Sequence, residues 1–391
     1  MTASNGPTDG SSPDASSSDD PSSASSSGGS ASGSTPGSGS GGKKGFFGSH
    51  KAATALAVLL IVLAGSVGGY LWWLNSQLGN MQHVDAGIIT RPEREGSSNE
   101  KKYPLNILLL GADHGTVGQS VAEDLADGEW TPGLHLSDTI ILVHIPADRD
   151  SVQMVSIPRD TWTKIDSYPS AGHYAKINAA FSYGGPSLSR ETVEDLTGIP
   201  IDHLAIIDWV GFRDLTTALG GVRVYIPHTF FDDSQNITWE QGWQTLEGEP
   251  ALQYVRTRHG LANGDFDRIK RQQNFLRSTM SEVLSKGTTR NPITLGKVVK
   301  VITSNLTVDN SWDNDEIRSL ALSMNDIGTE DVQFFTAPLG RYDTTPDGQS
   351  IVRLAKKKSQ ALFRAIRNDD VQSYLDQYPH ADTLGDAKSV N

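Results

Sequence analysis

The chain has 391 residues, with 46 Asp and Glu against 33 Lys and Arg, a formal net charge of −13, and no cysteine. Without thiols there is no disulfide framework and no thiolate metal site, which fits an exported bacterial protein better than a small eukaryotic ectodomain. A chain of this balance also lacks the extended basic face that nucleic-acid binding uses.

Residues 1–42 are almost entirely Ser, Gly, Ala, Pro and Asp, without an aromatic residue, so they bury too little surface to repay ordering. The expectation is a disordered cytoplasmic tail over 1–51. From Ala52 to Leu74 the sequence carries no charge, a run longer than the roughly 20 residues that cross a bilayer as a helix. A single transmembrane helix over 52–74 is predicted. The small residues Ala64, Gly65 and Ser66 would suit signal peptidase, but the run is long and the preceding tail unusually extended for a signal. Lys43, Lys44 and Lys51 precede the run, whereas Tyr70, Trp72 and Trp73 close it. This asymmetry puts the amino terminus inside and the rest outside, a type II arrangement. Residues 75–100 read as a linker, 101–368 as one extracellular domain, and 369–391 as a C-terminal tail.

Within the domain, "LNILLLGAD" (Leu105 to Asp113), "DTIILVHI" (Asp138 to Ile145) and "SVQMVSIP" (Ser151 to Pro158) are apolar runs bounded by Gly, Pro and turn residues, the pattern of neighbouring buried strands. Further strands are expected at His203 to Trp209 and Val222 to Pro227, separated by a helix ending at a Gly pair. Helical spacing also marks Ser189 to Gly198 and Asp267 to Lys286. Helices interleaved with apolar strands predict an α/β fold, an α-β-α sandwich about a central sheet.

The polar residues gather where such sheets bind ligands, beyond the carboxyl ends of strands. Asp113 ends the first strand, and Arg159 and Asp160 follow the third. Asp138 opens the second strand and shares this rim only if that strand runs antiparallel to the first, so a mixed sheet is expected. Farther on, Arg256, Arg258, Arg268, Lys270 and Arg271 crowd around only two acids, Asp265 and Asp267. Taken singly, each residue has a plainer reading: a loop-capping carboxylate, a surface ion pair, or, for Lys176 and the basic run, solvated positions. Together they make the set a Mg²⁺-bound diphosphate needs, with hard oxygen ligands for the ion and guanidinium forks for phosphoryl oxygens.

In order, "LLLGAD", "LSDTIILVHI", "VSIPRDTW", "KINAAFSYGG", "LGGVRVYIP" and "LEGEPALQYVRTRH" leading into "GDFDRIKRQQ" resemble the successive motifs of the LytR-CpsA-Psr family. "GQSIV" (Gly348 to Val352) resembles that family's closing segment. The resemblance implies a membrane-anchored enzyme acting on a glycopolymer carried by polyprenyl diphosphate. It would transfer the polymer with its proximal phosphate to a peptidoglycan hydroxyl, releasing polyprenyl monophosphate. It further implies Mg²⁺ held by Asp113 and Asp138, with Arg159, Arg256, Arg258 and Arg268 on the diphosphate and Lys176 and Gln272 lining the head-group site. Asp160 is a candidate to accept the acceptor's proton, as is a metal-bound carboxylate, and the lipid should lie in an apolar slot. Arg271 is expected to be structural, paired with Asp265 or Asp267.

The sequence departs from the family pattern in three places. Leu136 stands where relatives often have Arg, "DFDR" replaces "DFGR", and an acidic insertion separates Asp113 from Asp138. Competing functions are hydrolysis of the same diphosphate, glycan transfer to a surface protein, and carrier binding without turnover.

Overall fold

The computed structural model describes residues 72–88, 103–112, 135–166, 171–257, 265–324, 326–379 and 383–388, with isolated positions beside them. The predicted tail and most of the predicted membrane segment lie outside the described residues. Among those described, no helix is long and apolar enough to cross a membrane.

Helical residues 72–78 lead into β1 (Gln82–Val84), and β2 (Leu105–Ala112), β3 (Ser137–Ile145) and β4 (Val152–Ser156) follow. A hairpin of β5 (Trp162–Lys164) and β6 (Tyr174–Lys176) precedes helix α1 (Asn178–Thr197), β7 (His203–Asp208) and α2 (Trp209–Ala218). Next come β8 (Val222–Ile226), β9 (Phe230–Asp232), β10 (Ile237–Trp239), β11 (Gly242–Leu246) and α3 (Gly248–Arg256). Helices α4 (Asp265–Leu284), α5 (Lys286–Thr289) and α6 (Pro292–Asn305) lead to β12 (Leu306–Asp309) and α7 (Asn314–Ser323). The chain ends in β13 (Val332–Thr336), the hairpin of β14 (Leu339–Thr344) and β15 (Ser350–Leu354), α8 (Lys356–Arg367) and α9 (Val371–Gln377).

Seven strands form the central sheet in the order β1-β12-β7-β2-β3-β4-β13. β2 is antiparallel to β3 and parallel to β7, so the sheet is mixed, as the position of Asp138 required. Alternation along β2 supplies both faces: Leu108 and Leu110 pack with Phe181, Leu362 and Ile366, while Ile107 packs with Met154, Phe334 and Trp312. Each fully buried side chain of this size contributes roughly 1.5–3 kcal/mol, which is why these strands read as continuous apolar runs.

Four expectations change. The "VRVYI" strand, β8, is absent from the central sheet and pairs with β11, forming with α3 and Phe275 a third core of its own. The expected helix at 189 starts at Asn178 and bends at Gly184 and Gly185 ahead of Pro186. Gly185 has φ 66°, and a Cβ there would lie 3.1 Å from the Trp130 ring, so the bend makes room for a residue of the acidic insertion. The linker contributes β1, paired with β12. The segment 369–391, expected to trail from the domain, continues it: Val371 and Tyr374 enter the core, and the Leu384 N–H donates to the Phe334 carbonyl at 3.0 Å. Short segments without a long apolar pattern hide such contributions, because one or two side chains do the anchoring.

At the amino end of β7, remote from the rim, buried His203 lies 3.3 Å from both Asp309 Oδ2 and Glu316 Oε1 and stacks on Trp312 at 4.5 Å. Burial lowers the imidazole pKa, but the hydrogen bonds to Asp309 and Glu316 outweigh it and raise the pKa to about 9. A raised folded-state pKa stabilises fully below the unfolded value, and that contribution is lost as pH rises through the folded value. The margin of the wild type over His203→Gln in thermal unfolding should therefore be greatest near pH 6, on the order of 3 kcal/mol, and shrink as pH approaches 9. A margin independent of pH would show that the imidazole is not charged there.

Candidate diphosphate site

In the register of β2 and β3, Ala112 lies opposite Ser137, so the end of one strand meets the start of the other. Asp138 stands beside this junction. Its carboxylate accepts from Arg159 Nη1 at 2.6 Å and lies 3.9 Å from Arg268 Nη1. Arg159 Nε is 3.6 Å from Asp160 Oδ2, and Lys176 Nζ is 2.8 Å from Asp160 Oδ1. Four separate segments thus build one row of alternating charge, Arg268–Asp138–Arg159–Asp160–Lys176. Side-chain exposure rises along it from 2% at Arg268 to 26% at Lys176, so the row leads from the interior outward.

Local backbone bonds fix the row. The Arg159 carbonyl accepts from Asn178 N–H at 3.2 Å, and the Asp160 carbonyl accepts from Val352 N–H at 2.9 Å. The closing "GQSIV" motif therefore braces the Arg159–Asp160 loop through β15. On α4, Gln273 is buried and donates to the Phe335 carbonyl at 2.8 Å and Ser156 Oγ at 2.9 Å, pinning the helix to the sheet. Gln272, on the other side of this anchor, accepts from Thr139 Oγ1 at 3.5 Å and donates to the Val255 carbonyl at 3.3 Å. Lys270 is exposed, as its helical phase relative to Arg268 predicts.

The structure brings together Asp138, Arg159, Asp160, Lys176, Arg268 and Gln272. Arg256 is exposed at the end of α3, its guanidinium over the Trp209 ring at 5.3 Å, and Gln272 ties that end of α3 to the site. Asp113 and Arg258 lie outside the described residues. Thr257, just before Arg258, is buried and accepts from Gln235 Nε2 at 3.0 Å. Arg271 departs from the expected carboxylate pairing. It lies between the rings of Phe230 and Tyr254, 4.8 and 4.7 Å away, and burial lowers its pKa, with Tyr254 and Asp267 opposing. Arg271 and Gln272 are consecutive on α4, and the rotation of about 100° between them points Arg271 into the third core.

Sequence reasoning missed Thr139, Gln273 and Trp209. Gln273 was visible within "RQQ", and Trp209 directly follows a strand at the ligand-binding rim. Thr139 lies beside Asp138 within "LSDTIILVHI", whereas Trp209 carries no motif that distinguishes it from an ordinary helix residue.

Among the described residues no group of three or more His, Asp or Glu could hold a metal. Mg²⁺ commonly takes one or two carboxylates and completes its shell with water and substrate phosphates, and a rim carboxylate beside guanidinium groups fits that mode of binding. An apolar cavity of about 170 Å³ is lined by residues including Leu78, Met81, Val299 and Trp312, none of them a member of the charged row.

The profile of the LytR_cpsA_psr family matches residues 74–368. The chain belongs to this family. It is 31% identical over 353 residues to the cell wall biosynthesis protein LcpA of Corynebacterium glutamicum, covering 80% of this chain and 64% of that one. It is also 31% identical over 268 residues to the polyisoprenyl-teichoic acid–peptidoglycan teichoic acid transferase TagU of Enterococcus faecalis, covering 68% of this chain and 80% of TagU. Among solved structures, protein gbs0355 from Streptococcus agalactiae superposes with a TM-score of 0.58 at 26% identity, over 68% of this chain and 88% of its own. The family profile takes in β1, the "linker" strand, and ends just before Asp369.

Proposed function

We propose that this family member is a membrane-anchored extracellular phosphotransferase that moves a glycopolymer from a polyprenyl diphosphate carrier to a peptidoglycan hydroxyl. The observation that carries this reading is the row Arg268–Asp138–Arg159–Asp160–Lys176, which sets guanidinium and ammonium groups in fixed positions at the sheet rim of a family with a member named for teichoic acid transfer to peptidoglycan. Membrane anchorage rests on the uncharged run Ala52 to Leu74.

The acceptor oxygen bonds to the glycan-bearing phosphorus, the bridging P–O bond breaks, and polyprenyl monophosphate leaves with the electron pair. The hydroxyl proton passes to a carboxylate, with Asp160 the candidate. Charge grows on the bridging oxygen in the transition state, and guanidinium groups already held in place by Asp138 and Asp160 stabilise it without reorganising. Asp113 and Asp138 would hold Mg²⁺, which supplies further charge stabilisation when bound. Lys176 and Gln272 orient phosphoryl oxygens.

Full-length protein incubated with a polyprenyl diphosphate-linked glycan and peptidoglycan fragments should release polyprenyl monophosphate and form a phosphodiester-linked glycan detectable by mass spectrometry. Release at the same rate without an acceptor, and without conjugate, would replace this reading with hydrolysis. Conjugate formed only on a surface protein would replace the peptidoglycan acceptor.

A further inference from the structure

We infer that the amino end of α6, with Arg290, Ile293 and Lys297, rests in the headgroup layer of an anionic bilayer. This inference rests on the proposed anchorage through the uncharged run. Between Glu282 and Asp309 the sequence holds Lys286, Arg290, Lys297 and Lys300 and no acid, in a chain of net charge −13. Arg290, Lys297 and Lys300 are exposed, and Ile293 is 70% and Trp72 is 72% exposed. The acids of α7 are already engaged, Asp315 with Arg318 and Glu316 with His203.

The chain reaches this face directly from its uncharged run. Tyr70 Oη donates to the Pro292 carbonyl at 2.6 Å, and the Trp73 ring lies so close to Gly296 that a Cβ would meet it at 2.9 Å. Farther on, Leu78 and Met81 meet Val299, Ile302 and Leu306 around one cavity. Helical residues 72–78 therefore run alongside α6, and tracing the chain backwards toward the uncharged run leads to the amino end of α6. Lys297 stands about 6 Å along the axis from Ile293, comparable to the roughly 5–8 Å headgroup layer of one leaflet. Ile293 can thus meet acyl chains while Arg290 and Lys297 meet phosphates. A second copy of this cationic face would repel it, and a soluble polyanion offers nothing apolar for Ile293 and Trp72.

Full-length protein in nanodiscs tests this by amine acylation. Lys297 should be labelled at least about threefold more slowly in phosphatidylglycerol-containing discs than in pure phosphatidylcholine, as local anionic lipid holds basic side chains. Exposed Lys357, on α8 across the sheet, should label equally in both. The paired exposed-site substitutions Arg290→Glu and Ile293→Glu should remove the protection of Lys297. Equal labelling of Lys297 in both lipids, with protein retained on the discs, overturns this inference alone. Protection by a soluble polyanion without lipid also overturns it, assigning the face to a polymer. Protein that is not retained on the discs overturns the anchorage and this inference with it.

Discussion

Arg268→Lys should lower turnover of a polyprenyl diphosphate donor by at least about tenfold, or about 1.4 kcal/mol of transition-state stabilisation. Arg268 is nearly buried and lies 3.9 Å from Asp138 Oδ2, at the interior end of the charged row. Lysine keeps the charge but loses the planar fork that meets two phosphoryl oxygens at once. Its flexible, strongly hydrated ammonium must also be ordered in a confined place. Lys270→Ala, two residues away and exposed, is the matched control and should stay near wild type. Similar small losses in both variants, recovered at low salt, would mean that the basic run acts as a diffuse surface and that the chemistry lies elsewhere.

The second large effect is expected at Asp138. Its carboxylate binds Arg159 at 2.6 Å and approaches Arg268, so Asp138→Ala removes a group that both guanidiniums share. Turnover should fall by roughly a hundredfold or more, in the range found when one preorganised stabilising group is deleted, at a temperature where circular dichroism shows the variant still folded, although leaving nearly buried Arg268 without this carboxylate lowers the melting temperature. Titrating Mg²⁺ into the residual activity separates two roles. A raised half-saturating concentration supports a metal ligand, whereas an unchanged one leaves Asp138 as the holder of the arginines. Near-normal turnover would remove it from the site altogether.

The charged row also shows relations between residues that their order along the sequence hides. Adjacent Arg159 and Asp160 look like a surface ion pair, yet in the fold they are the middle of a chain whose other members come from β3, β6 and α4. Arg271 looked like a partner for a carboxylate and is a cation held between two rings. On a helix, one position turns a side chain by about 100°, so neighbours in "RQQ" serve three surroundings: the third core, the charged site and the sheet.

The sequence by itself determined four strands of the central sheet, β2, β3, β4 and β7, because residues buried on both faces must be apolar throughout. It determined the mixed sheet as well, since only an antiparallel second strand brings Asp138 to the rim that ends β2. The family followed from the order of motifs and is shown by the profile match. Tertiary structure alone decided that β8 leaves the central sheet, that β1 and α9 join the fold, and that GQSIV braces the Arg159–Asp160 loop. Those outcomes depend on single backbone hydrogen bonds and a few buried side chains between distant segments, and pairings of that kind leave no period or composition in the chain to be read.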